Sequence, residues 1–184
     1  MSQSFSVIRG RLRYTSPMSR QSAGLLMHRR REGEIEVFLV HPGGPFFAKK
    51  DAGVWSVPKG EYEEGEDPIE VARREFNEET GQPVEACAPD PELLALGSVR
   101  QRGGKTVHAW AFEGDWPQGV TPTSNTFEME WPPRSGKTKE FPEVDRAQWF
   151  SLQEARQKIN RAQAEFLDRL VSKKKIRPRI DCSK

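Results

Sequence analysis

Two apolar stretches with strand character lie early in the chain, at Ser22–Arg30 (SAGLLMHRR) and Ile35–His41 (IEVFLVH), with the turn-like residues 31–34 (REGE) between them. Residues 41–53 (HPGGPFFAKKDAG) read as a loop, Trp55–Val57 as a short extended piece, and Pro58 as the lead into a second loop. The pattern then changes to a helical period. Ile69, Val71, Ala72 and Phe76 are the apolar positions of residues 67–81, and Ile69, Ala72 and Phe76 fit one buried stripe. Asp67 suits the N-cap, Pro68 the first helical position, and Glu70 completes an Asp-x-x-Glu capping box. Gly81 is placed for a left-handed cap, and Pro83 stops any continuation.

Beyond the helix the pattern returns to strands. Leu93–Arg102 and Lys105–Glu113 predict a hairpin turned by Gly103 and Gly104. Residues 114–142 are rich in Pro, Gly, Ser and Thr, with an extended candidate at FEMEW, residues 127–131. A connection this long suggests a functional cover or a mobile insertion. Residues 148–151 close with Trp149 and Phe150, and Ser151 with Glu154 forms a second capping box opening a helical region to about Ser172. Strands, helix, hairpin and late helix make an α/β (α+β) chain with no internal repeat. The expected organisation is a flexible leader over residues 1–20, one domain over 21–172, and a basic tail over 173–184.

Composition narrows the functional classes. The formal net charge of +2 over 184 residues does not point to nucleic acid. The first twenty residues carry Arg9, Arg11, Arg13 and Arg20 without an acid, and the tail carries Lys173, Lys174, Lys175, Arg177, Arg179 and Lys184 against Asp181. Solvated termini account for both. Cys87 and Cys182 have no metal-ligand spacing, so the expected setting is a reducing cytoplasm. No apolar run reaches membrane-spanning length. Oligomeric state is not legible.

The chemistry concentrates on the central helix. Glu75, Glu78 and Glu79 stand at i, i+3 and i+4, so one face presents three carboxylates. Like charges so close repel unless a cation neutralises them, and a hard divalent ion with oxygen ligands suits them best. Arg74 is placed to hold one carboxylate, with Glu66 a further partner. A run of glutamates is usually a solvated face with Arg partners; here the fixed spacing, the cap and the two glycines in register argue against that.

Gly60, Glu66, Arg74, Glu75, Phe76, Glu78, Glu79 and Gly81 match the pattern of the Nudix box: Gly, five residues, Glu, seven residues, then Arg-Glu-aliphatic-x-Glu-Glu-x-Gly. The chain thus resembles the Nudix hydrolases. SAGLLMHRR, WSVPKGEYEEGED, KTVHAWAFEG and EVDRAQWFSLQEA extend the likeness over about residues 22–172, toward asymmetric diadenosine-tetraphosphate hydrolases and related bacterial proteins. The departures are Phe76 and Gln82, both at aliphatic positions, and Ala147, which stands where the dinucleotide hydrolases carry a Tyr.

The resemblance implies a mixed sheet held between helices and Mg²⁺-dependent cleavage of a diphosphate linkage, with Mn²⁺ as a substitute. It implies Glu75, Glu78, Glu79 and the Gly60 carbonyl as metal ligands, with Glu78 and Arg74 in the catalytic set. The general base is either a box glutamate or a later one, for which Glu143 is the candidate and Glu140 the backup. Lys59 and Lys105 are placed to meet phosphate. Trp110 or the FEMEW aromatics suit base stacking, although Trp110 equally suits a core. The expected partner is a small phosphoanhydride, a dinucleoside polyphosphate first. A nucleoside triphosphate, a nucleotide sugar, an inositol pyrophosphate, a non-catalytic binding role, or an RNA-directed enzyme or binder using the basic ends are the other readings.

Overall fold

The computed structural model describes residues 20–174. The expected leader and tail lie outside them, apart from Arg20, Lys173 and Lys174.

Strand β1 (Gln21–Arg31) is the axis of the molecule. It pairs in parallel with β5 (Thr106–Glu113) on one side. On the other it pairs antiparallel with β3 (Lys59–Tyr62) near its start and with β2 (Glu34–Pro42) near its end. Strand β4 (Leu94–Arg100) extends the sheet beyond β5, and β8 (Val144–Ser151) extends it beyond β2. The near-unbroken burial of residues 22–28 follows, because both faces of β1 are covered.

Helix α1 (Pro68–Thr80) covers one face of the sheet. It packs over Ala23, Leu25, Met27, Phe38 and Phe112, with Phe76 edge-on to Phe112 at 5.5 Å. Helices α3 (Leu152–Lys158) and α4 (Ala164–Lys173) cover the other face, over Leu26, Val37, Leu39 and Val107. The result is the expected mixed sheet between helices. Full burial of Phe76 alone stabilises this arrangement by about 2 kcal/mol.

Several local expectations need correcting. The buried stripe of α1 is Val71, Ala72, Phe76 and Thr80; Ile69, in the first turn, is only partly buried. Asp67 caps through its side chain to the Ile69 N–H, and Gly81 takes φ +78° as a left-handed cap. A short helix α2 (Val84–Cys87) follows. The late helical region is two helices. Residues 159–163 leave helical geometry because the backbone there pairs with the segment around Trp55: the Trp55 N–H donates to Lys158 O at 3.1 Å, and the Asn160 N–H to Trp55 O at 2.7 Å. Strand β8 begins at Val144, earlier than the expected residue 148.

Residues 114–142 are ordered by specific contacts. Trp116 stacks on Phe38 at 5.0 Å and donates its indole N–H to Val120 O at 2.7 Å. The Thr123 N–H then donates to Thr80 O, and the Asn125 N–H to Glu78 O, both at 3.0 Å. These bonds satisfy carbonyls at the end of α1 that the helix leaves without partners. From Asn125 the chain leaves as a two-stranded hairpin, β6 (Thr126–Glu130) and β7 (Thr138–Pro142), and returns at Glu143. The FEMEW segment is therefore extended as expected up to Glu130, but its partner strand TKEFP was not foreseen.

Candidate active site

The carboxylates of α1 meet the chain where β3 begins. The Lys59 N–H donates to Glu79 Oε2 at 3.0 Å. The Glu75 carboxylate packs directly on Gly60, so that a Cβ there would overlap it. Glycine at position 60 is thus a space requirement set by Glu75. Gly60→Ala is expected to push Glu75 aside and lower the turnover number by about a hundredfold, the usual cost of misplacing a reacting group by an ångström. Turnover within twofold of wild type, in a protein whose melting curve shows it folded, would refute this.

Arg74 lies in the middle of the glutamates. Its guanidinium reaches Glu66 at 3.2 Å, Glu75 at 3.4 Å and Glu78 at 3.9 Å. The expected single clamp is therefore a shared one, spanning the loop glutamate and two helix glutamates. Glu66 and Glu75 raise the Arg74 pKa, and the backbone N–H of Glu63 with Arg74 lowers that of Glu66.

Glu143 is brought to the same place from the far end of the chain. Its N–H donates to Asn125 O at 2.8 Å, and the Asn125 N–H donates to Glu78 O. Two backbone bonds thus tie Glu143 to α1. Ser124 adds a third link, its hydroxyl accepting the Val144 N–H at 3.0 Å, and Gly43 a fourth, its N–H donating to Glu143 O at 2.8 Å. The charge of Glu143 reaches both Glu75 and Glu79. Glu140 points elsewhere, accepting the Thr126 hydroxyl within the hairpin.

The site carries excess negative charge. Burial, helped by Glu78 and Glu143 and opposed by Arg74, raises the Glu75 pKa. Burial, helped by Glu75 and Glu143 and opposed by Lys59, pushes Glu79 up to about 7. Among the described residues, the cations acting on the Glu75 and Glu79 carboxylates are Arg74 and Lys59, so an added cation would relieve repulsion that these two leave unbalanced. Among the described residues no group of three or more acidic, His or Cys side chains is arranged to hold a metal ion as it stands.

The remaining expected residues are more peripheral. Lys105 is held by Glu61 at 3.0 Å, on the strand that carries Gly60. Trp110 is partly buried and packs against the core beneath α1. Cys87 is buried and free, its thiol pushed up to about 11 by burial, which makes it a poor nucleophile. No helix of the described residues is long and apolar enough to cross a membrane.

Asn125 and Ser124 were missed as parts of the site. The available signal was the alternation in TFEME and TKEFP around the turn-forming residues 132–136. Read as a hairpin, it would have brought residues 125 and 143 together.

Known proteins resemble this chain in fold and, over a shorter stretch, in sequence. The RNA pyrophosphohydrolase of Rhizobium meliloti (strain 1021) is 36% identical over 74 residues, 34% of this chain and 44% of that protein. The chain thus matches less than half the length of this curated relative. Among solved structures, the C. elegans Ap4A hydrolase in a binary complex is 23% identical, with a TM-score of 0.57 over 85% of this chain and 98% of that one. The Nudix hydrolase RenU of M. smegmatis is 20% identical, with a TM-score of 0.57 over 87% of this chain and 88% of that one. The NUDIX domain of Shewanella oneidensis NrtR, complexed with ADP ribose, is 14% identical, with a TM-score of 0.56 over 83% and 86%. At these identities the likeness is one of fold. The family model described as NUDIX domain matches residues 18–170, which span the carboxylate helix, Asn125 and Glu143 alike, and the chain belongs to the Nudix family.

Proposed function

We propose that this protein is a divalent-metal-dependent hydrolase of a diphosphate linkage, in the cytoplasm, with a dinucleoside polyphosphate as its preferred substrate class. The observation that carries the reading is the convergence of Glu75, Glu78, Glu79 and Glu143 around Arg74 and Lys59, an anionic site that a cation and a polyphosphate complete. Residues 21–172 form the catalytic domain. Mg²⁺, or Mn²⁺ in its place, held by Glu75, Glu78, Glu79 and the Gly60 carbonyl, would neutralise phosphate oxygens.

The chain's own groups do the rest. Arg74 orients Glu75 and Glu78. Glu143 accepts the proton of the attacking water. Lys59 offsets the charge of the phosphate chain.

The substrate follows from a ranking of kcat/KM over diadenosine tetraphosphate, nucleoside triphosphates, nucleotide sugars, inositol pyrophosphates and 5′-triphosphorylated RNA. RNA belongs in the panel because the sequence relative is an RNA pyrophosphohydrolase. The dinucleotide is expected to lead. If another class exceeds it by more than about tenfold, a gap of about 1.4 kcal/mol in transition-state stabilisation, the substrate assignment fails while the hydrolase assignment stands.

A further inference from the structure

Strand β8 carries an irregularity beside Glu143. Its residues pair with β2 in regular register from Ser151 opposite Glu36 to Arg146 opposite His41, but Val144, and not Asp145, then stands opposite Pro42. Asp145 is therefore the extra residue of a β-bulge, two positions after Glu143. The bulge changes which side chains face α1. Trp149 and Ala147 pack against the cluster beneath that helix, so strict alternation would send Asp145 there too. Val144 goes there instead. Asp145 and Arg146 both turn to the other face, where Arg146 lies over the Trp55 ring at 5.3 Å and Asp145 meets His41.

His41 is fully buried and held at both ring nitrogens. Nδ1 donates to Asp145 Oδ1 at 2.6 Å and Nε2 to Lys50 O at 2.8 Å, with the Trp55 ring edge-on at 5.1 Å. A carboxylate and a carbonyl only accept, so both nitrogens carry protons and Asp145 is the counter-ion of a buried cation. Removing one partner of such a pair leaves the other charge buried and unmatched, which costs far more than the pair contributes. The neighbouring charges are engaged around it. Asp51 accepts the Trp55 indole N–H at 2.9 Å and pairs with Lys158, and Arg146 reaches Asp145 Oδ1 at 3.4 Å.

The end of β2 thus grips β8 on both sides of Val144. The His41 side chain takes Asp145, and the Gly43 N–H takes Glu143 O at 2.8 Å. The two backbones run so close that a Cβ on Gly43 would overlap the carbonyl of Pro142. A slip of one residue in this register would exchange the faces of the residues that precede Arg146. Val144 would leave the α1 face, and Glu143 would leave Asn125 and the carboxylates of Glu75 and Glu79 that its charge reaches.

We infer that the buried His41–Asp145 pair positions Glu143 for catalysis, by locking the bulge through which β8 joins the active site. The inference rests on the reading of Glu143 as the general base. Both members are positioning residues, acting from the face of the sheet away from the α1 carboxylates.

The test is kinetic and uses the substrate that leads the kcat/KM ranking. Asp145→Asn keeps the shape and removes the charge that His41 requires; Asp145→Ala removes the bond altogether. The Asp145 side chain is 29% exposed, so neither change empties a closed core position, and the isosteric variant carries the test if Asp145→Ala fails to fold. Each is expected to lower kcat by at least about tenfold with KM within twofold, since misplacing a reacting group by an ångström costs about a hundredfold in rate. In a Glu143→Gln background the same substitutions should change kcat by less than twofold, because a device that works only through Glu143 has nothing left to position. A wild-type rate in the folded Asp145 variants overturns the inference. A loss of equal size with and without Glu143 also overturns it, since that marks a structural role. If Glu143→Gln by itself keeps the wild-type rate, the general base is misassigned and the inference falls with it, while the hydrolase reading stands. Turnover of no substrate in the panel by the wild type overturns the hydrolase reading itself.

Discussion

Glu79→Gln is expected to lower the turnover number by about a thousandfold at saturating Mg²⁺ while the protein stays folded. Glu79 is the carboxylate most affected by its surroundings, and an amide in its place keeps the shape but cannot balance a cation. The same substitution should raise the stability of the metal-free protein at pH 8. The sign follows from the direction of the shift. Glu79 titrates near 7 in the folded, metal-free state against 4.5 for its ordinary value, so the folded form binds the proton more tightly. That contribution is fully present below about pH 4.5 and is lost as the pH rises through 7. Glutamine removes the burden, so the variant should gain over wild type in denaturant midpoint at pH 8 and match it near pH 4. Added Mg²⁺ should reverse the order at pH 8, and its affinity for wild type should fall as the pH drops below 7. Near-normal turnover in the variant would remove Glu79 from the metal site.

The second large effect is expected at Glu143. Glu143→Gln should cost about a hundredfold or more in kcat with KM little changed, because a base acts in the transition state and not in binding. Glu140→Gln is the control, since that carboxylate is turned toward Thr126 on the hairpin. If Glu140→Gln lost the rate and Glu143→Gln kept it, the two roles would have to be exchanged.

What the sequence revealed and what it hid follow from the range of the interactions. The ends and carboxylate spacing of the central helix were readable because what makes them is local, namely the Asp67 cap, Pro68, the i, i+3, i+4 carboxylates and the left-handed Gly81, whereas its buried stripe, which includes Val71 and Thr80, is set by the sheet it packs on. The β4–β5 turn was readable for the same reason, with Gly103 and Gly104 both at positive φ. The break between α3 and α4 was hidden because its cause is distant, a backbone pairing with Trp55 that outweighs local helix propensity. The placement of Glu143 was hidden in the same way. A glutamate in a loop has no periodicity of its own, and its bond to Asn125 follows only once the flanking TFEME and TKEFP segments are read as paired strands. Ala147 shows the opposite case: its β8 position against Val40 is ordinary sheet packing.

The bonds from Glu78 to Asn125 and from Asn125 to Glu143 have an evolutionary consequence. They form a closed rung at the root of the hairpin, so residues 126–142 enter and leave the fold at one point. An arm attached in this way can lengthen, shorten or change its tip without shifting the groups that do the chemistry. Selection for a new substrate has a place to work that is insulated from selection for rate.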